Sequence, residues 1–172
     1  MAFRDMRAFL ARLEELGQLK RVKVPFDGAQ GTNELQALMR YLAETNGPGL
    51  VLENLTGYNT PGIPVVFNPF GTRERTGLTI GVKDPVEAKL KHTGILADRS
   101  QWQQPVLVDR ARAPCKEVVI PREKVSLDRQ LPHVWLGKEG ASYICGGIVV
   151  TKDPETGARN AGWYRLTQLS NC

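Results

Sequence analysis

The chain has 172 residues, 41% hydrophobic and 24% charged, a composition that suits a soluble globular protein and excludes a disordered or fibrous one. The net charge of +5 comes from 23 basic and 18 acidic residues scattered along the chain, which favours a solvated surface over a nucleic-acid groove. No run approaches the ~20 apolar residues of a membrane helix, and Met1-Ala2-Phe3-Arg4-Asp5 lacks the apolar core of a signal peptide, so a cytoplasmic protein is expected.

In chain order, Met6, Phe9, Leu10, Leu13 and Leu16 recur at helical spacing and Gly17 follows as a stop. Val22 and Val24 alternate with basic residues in a short strand that ends at Pro25. A second helix is expected from an N-cap at Asn33, with Gln36 three residues on and Leu35, Leu38, Met39 and Leu42 as its buried stripe. Gly47-Pro48-Gly49 breaks it. Leu50–Leu52 and Pro64–Phe67 read as buried strands, and Asp84-Pro85-Val86-Glu87 as a capped helix start.

These elements suggest a small α+β domain over residues 1–112. From 113 to 172 the character changes. Val106–Val108, Glu117–Ile120, Tyr143–Thr151 and Ala158–Leu169 are strand-like, and Pro121–Pro132 reads as a connector with one helical turn. This second unit is expected to open an all-β barrel and to leave an edge strand unpaired.

The chemistry-bearing residues are few. The three cysteines at 115, 145 and 172 and the two histidines at 92 and 133 lack zinc-site spacing and read as reduced thiols and ordinary side chains. Cys145 is expected to be a buried structural thiol, His92 to sit at the end of the third helix, His133 to be a satisfied loop residue, and Trp102 and Trp135 to be core or interface residues. Gly146 and Gly147 suit close backbone approach to a ligand or a strand bulge equally. The most informative stretch is a strand through Gly146-Gly147-Ile148-Val149-Val150, a Pro/Gly turn, and a return carrying Asn160 and Arg165. That pair offers a neutral oxygen ligand and a fixed cation for one anionic ligand. Five residues apart on a regular strand they would face opposite ways, so a bulge or local break is expected somewhere in Ala161 to Tyr164, with Gly162 best able to absorb it and both side chains converging on one cavity.

Phe3-Arg4-Asp5-Met6-Arg7-Ala8-Phe9-Leu10, Asn68-Pro69-Phe70-Gly71-Thr72-Arg73-Glu74-Arg75, and Thr151 to Gly157 followed by Asn160-Ala161-Gly162-Trp163-Tyr164-Arg165 resemble, in order, segments of the UbiD family of decarboxylases. The resemblance implies prenylated FMN, a divalent metal such as Mn2+ and often K+ or Na+, in reversible non-oxidative decarboxylation of aromatic or α,β-unsaturated carboxylic acids. It implies an α+β domain followed by a split β-barrel like that of flavin reductases, then a C-terminal domain making dimer contacts. By position, Asn160 matches a metal ligand, Trp163, Tyr164 and Arg165 match the stretch against the cofactor, and Arg165 matches an arginine of the catalytic acid network. The family's catalytic carboxylates and other ligands match positions after 172, so the chain alone is expected to be inactive and to need the rest of the polypeptide or partner subunits. A non-catalytic subunit or interaction module, or a simple flavin-binding split barrel, are the competing readings.

Overall fold

The computed structural model describes all residues except 1–2, 30–32, 58–59, 61, 103–105, 132–142 and 171–172. Its first half is a three-layer arrangement built on one buried strand. Helix α1 (Met6–Glu15) starts where the Asp5 carboxylate accepts the Ala8 N–H at 2.9 Å. It ends where Gly17, at φ +68°, lets its own N–H reach the Glu14 carbonyl and that of Gln18 reach the Leu13 carbonyl. Strand β1 (Leu19–Val22) follows, then a two-residue strand β2 (Phe26–Asp27) and helix α2 (Glu34–Glu44). Asn33 does precede α2, but it adopts φ +58° and its side chain caps nothing. The Glu34 carboxylate accepts the Asp27 N–H instead, tying the helix to β2.

Strand β3 (Gly49–Leu52) is buried at all four positions because it lies between β1, to which it is parallel, and β5 (Val65–Phe67), to which it is antiparallel. The short β4 (Leu55–Thr56) pairs in parallel with β2. Alternate side chains of β3 point to opposite faces. Leu50 and Leu52 join Leu35, Leu42, Leu55 and Phe67 against α2, whereas Val51 joins Phe9, Leu13 and Leu19 against α1. Burying each such side chain contributes roughly 1.5–3 kcal/mol before entropy is subtracted. Seven of the nine residues in the expected helical stripes are buried or half-buried; Met6, in the first turn, and Leu16, at the C-cap, are 50% and 39% exposed.

Helix α3 (Arg73–Leu78) is not evident from apolar periodicity, since it is short and carries one large apolar residue. Its signal is Thr72, whose hydroxyl accepts the Arg75 N–H at 3.2 Å. Helix α4 (Pro85–Ala97) starts as expected, with the Asp84 carboxylate accepting the Val86 N–H. His92 lies in its interior and is exposed, not at its end.

Beyond α4 the expected strands at Val106–Val108 and Glu117–Ile120 do not form. These segments are exposed, Leu107 at 96%, and among the described residues no strand offers them backbone partners, without which an apolar run gains nothing from extension. Short 3-10 turns at Arg110–Arg112, Pro114–Lys116 and Arg122–Lys124 lead to a one-turn helix α5 (Leu127–Gln130), which matches the expected connector. Two ribbons follow: β6 (Tyr143–Ile144) pairs with β9 (Leu166–Thr167), and β7 (Ile148–Lys152) with β8 (Arg159–Trp163), both antiparallel. The whole is mixed α+β. No helix among the described residues is long and apolar enough to cross a membrane.

Candidate functional site

The β7–β8 hairpin is set by its turn. The Asp153 carboxylate accepts the N–H groups of Glu155 and Thr156 at 2.8 Å each, and Gly157 at φ +73° closes the turn with its N–H on the Asp153 carbonyl. Those two donors hold the Asp153 carboxyl below its ordinary pKa. From there the ladder runs without a bulge, Lys152 opposite Arg159, Thr151 opposite Asn160, Val149 opposite Gly162 and Ile148 opposite Trp163. Gly162 itself therefore carries no bulge. The break falls at Tyr164, the end of the expected stretch, and Arg165, where the chain leaves β7 and joins β6.

The regular ladder fixes which residues share a face. Asn160 and Gly162 stand on one side, Ala161 and Trp163 on the other. Tyr164 lays its ring back over Gly162: a Cβ there would overlap the ring and stand 2.9 Å from the hydroxyl. Glycine is needed for this contact and not for backbone strain. Asn160 and Tyr164 thus come to the same face. Trp163 turns away, its indole N–H donating to the Cys145 carbonyl at 2.9 Å, while the Tyr164 N–H reaches the Gly147 carbonyl at 3.5 Å. The Arg165 guanidinium lies over the Tyr143 ring, 5.2 Å from its centre. Of the four expected site residues, two share a face and the other two are anchored to the Tyr143–Gly147 segment.

Tyr143 is the partner that sequence reasoning missed; its aromatic side chain two residues before Cys145 was the available signal. Cys145 is exposed, contrary to expectation, because its segment lies between the two ribbons and pairs with neither strand ladder. Gly146 has no atom within 4 Å of a built Cβ, leaving open space beside the backbone there. Trp102 is 47% exposed, its indole N–H bonded to the Ile95 carbonyl and its ring under Arg99. His133, Trp135 and Cys172 lie outside the described residues.

The arrangement offers a large exposed aromatic surface, Trp163 being 75% exposed, with the apolar Ile148 and Val150 also open on the same ribbon. A flat ring system can cover such a surface, and Arg165 supplies a permanent cation close by. Metal binding is less complete: among the described residues no group of three or more His, Cys, Asp or Glu side chains is placed to hold an ion, and Asn160 is a single oxygen donor.

Comparison with known proteins adds the following. Residues 10–94 match the 3-octaprenyl-4-hydroxybenzoate carboxy-lyase N-terminal domain (UbiD_N), and residues 106–171 the 3-octaprenyl-4-hydroxybenzoate carboxy-lyase Rift-related domain (UbiD). An uncharacterized protein of Archaeoglobus fulgidus is 33% identical over 184 residues, covering 96% of this chain and 35% of that protein. The fold is similar to the closed form of the vanillic acid decarboxylase of Sedimentibacter hydroxybenzoicus, at TM-score 0.77 and 30% identity over 98% of this chain and 36% of that one. It is also similar to the UbiD-class enzyme HmfF from Pelotomaculum thermopropionicum in complex with FMN (TM-score 0.71, 31% identity, 96% of this chain and 34% of that one) and to its evolved dimeric form in complex with prFMN (TM-score 0.72, 31% identity, 96% and 36%). The chain spans about a third of the length of these relatives.

Proposed function

This chain belongs to the UbiD family, as its N-terminal portion, and on that footing we propose that it forms the opening part of an enzyme that reversibly and non-oxidatively decarboxylates an aromatic or α,β-unsaturated carboxylic acid with prenylated FMN. The observation that carries this reading is the β8 end, where Tyr164 covers the face bearing Asn160 and Arg165 is held just past the break by Tyr143. Residues 1–112 are the α+β domain and 113–172 the opening strands of a split β-barrel. The two ribbons supply its first edges, and the remainder of the polypeptide, in a homo-oligomer, completes it.

Losing carbon dioxide leaves an electron pair on the carbon that carried it, and the bound flavin would supply the electron sink. The chain's own residues act around that event. Trp163 presents aromatic surface to a ring on its own face of β8, and Tyr164 shields the opposite face, which bears Asn160. Arg165, planar and permanently charged, orients the substrate carboxylate through parallel N–H donors. Beside a catalytic carboxyl it would also lower that group's pKa, so that the protonated carboxyl gives its proton to the vacated carbon more readily and the resulting carboxylate is stabilised. Asn160 would give one neutral oxygen to a divalent ion such as Mn2+, alongside charged ligands from elsewhere; K+ or Na+ would bind with it.

The test is exchange of labelled carbon dioxide into a panel of aromatic and unsaturated acids, with prenylated FMN and Mn2+ present. A polypeptide extended to the relatives' length should exchange label, and the 172-residue chain should not. Silence from the extended protein across the panel would favour a non-catalytic subunit or interaction module.

A further inference from the structure

Away from the hairpin, the N-terminal half contains a buried cation without a counter-ion. Arg75 in α3 is only 2% exposed. Its Nη2 donates to the Gly47 carbonyl at 2.9 Å, but its Nε is buried with no acceptor, and among the described residues no carboxylate lies within ion-pair distance of it. The side-chain Oε1 of Gln18 is also buried without a partner. Both residues line one groove of about 470 Å³, together with Lys20, Asn46, Pro48 and Glu74.

The fold fixes this groove. The helix-ending bonds of α1 and α2, from the Gln18 N–H to the Leu13 carbonyl and from the Gly47 N–H to the Leu42 carbonyl, deliver the two chain turns side by side, and the Gly49 N–H then bonds the Gln18 carbonyl. Asn68, at φ +54°, donates to the Gly47 and Pro48 carbonyls and holds the α3 segment against the same turn. The Gln18, Gly47 and Pro48 carbonyls around the groove are thus bonded, and the unpaired polar atoms there are the Arg75 Nε and the Gln18 Oε1, both just beneath its surface.

A buried guanidinium without an anion is costly, because it has lost water and gained one carbonyl in return. Burial accordingly pulls the Arg75 pKa down, and the neighbouring Glu74 carboxylate opposes this without forming an ion pair. We propose that this groove is a binding site for a carboxylate, held by Arg75 and Lys20 with Gln18 completing the donor set. A half-turn of the Gln18 carboxamide places its NH2 where Oε1 now lies, converting the unpaired acceptor into a donor for the same anion. The guanidinium fork matches the two oxygens of a carboxylate, and Lys20 neutralises the exposed side. Two sources have this chemistry: a free small acid, or an acidic side chain on a second copy of the chain.

Acetate is the probe, titrated into the 172-residue chain against chloride at matched ionic strength. The resonance of the Arg75 Nε–H should move saturably and its exchange with water should slow. Arg75→Lys, which keeps the charge and loses the fork, should weaken acetate roughly tenfold or more, and Lys20→Gln, on the exposed rim, by a smaller factor. If Arg75→Lys fails to fold, Lys20→Gln and Gln18→Leu carry the comparison. Sedimentation separates the sources. Self-association reversed by acetate assigns the carboxylate to a second copy, and saturable binding by a monomer assigns it to a free acid. No saturable shift beyond chloride, or variants that bind acetate like the parent, would overturn the site. Neither arm uses flavin or turnover, so the result is independent of the decarboxylase reading.

Discussion

The ring of Tyr164 rests on the Cα of Gly162, two residues back on the same face of β8. Gly162→Ala should push that ring off the Asn160 face while leaving the ladder intact, since the ring is half exposed and free to move outward. The Gly162 α-protons, which sit under the ring, should resonate upfield in the parent. In the variant, the α-proton at this position should return to ordinary strand values. The stability cost should stay within about 1 kcal/mol. An unchanged ring-current shift would contradict the contact.

The two-sided core predicts a sharp ranking in chemical denaturation. Leu13→Ala and Leu35→Ala empty fully buried sites on opposite faces of β3 and should each cost about 2–5 kcal/mol. Met6→Ala and Leu16→Ala, in the same apolar helical stripe, should each cost less than about 1 kcal/mol because both side chains are exposed.

Gly71 meets the Asn68 side chain so closely that a Cβ would overlap its carboxamide. Gly71→Ala should therefore break the Asn68 bonds to the Gly47 and Pro48 carbonyls and destabilise the fold by about 1–3 kcal/mol. Asn68→Gly keeps the positive φ and removes the obstacle. In that background Gly71→Ala should cost far less, so a double-mutant cycle should give a coupling of at least about 0.5 kcal/mol. Additivity would mean that the carboxamide is not what Gly71 accommodates.

The hairpin should loosen in acid. The folded pKa of Asp153 is depressed by the Thr156 and Glu155 N–H groups. Its contribution is thus complete above the ordinary aspartate value of about 3.9 and is lost as pH falls through the lower, folded value. The Thr156 and Glu155 amide resonances should titrate together in that window, and Asp153→Asn should abolish the titration. A midpoint at or above the ordinary value would contradict the turn geometry.

The fold is legible in the sequence to different degrees along the chain. Helices α1, α2 and α4 are legible because apolar spacing and caps agree: Leu13 and Leu35 anchor two stripes, and Asp84 caps the third. Asn33 shows the limit, since its position is right while the carboxylate of Glu34 takes another partner. Leu107 and Val118 read as strand residues from their type alone, yet pairing is non-local and no partner strand meets them among the described residues. At the candidate site the residues Asn160, Trp163, Tyr164 and Arg165 are legible through their motif, but their faces are not. The break falls at Tyr164-Arg165 because β9 pairs with β6 instead of continuing along β7, a choice made by Tyr143 and Ile144, well upstream of the motif.

Under the proposed function, Arg165 handles the reacting carboxylate of a prenylated-FMN decarboxylase. The direct measurement is labelled carbon dioxide exchange by the protein extended to the relatives' length, comparing parent, Arg165→Lys and Arg165→Ala, with flavin content read from the visible spectrum of each. Arg165→Ala should retain flavin and lose exchange by about 10²-fold or more, with Arg165→Lys between it and the parent. Exchange within a few-fold of the parent in a flavin-loaded Arg165→Ala protein would contradict it.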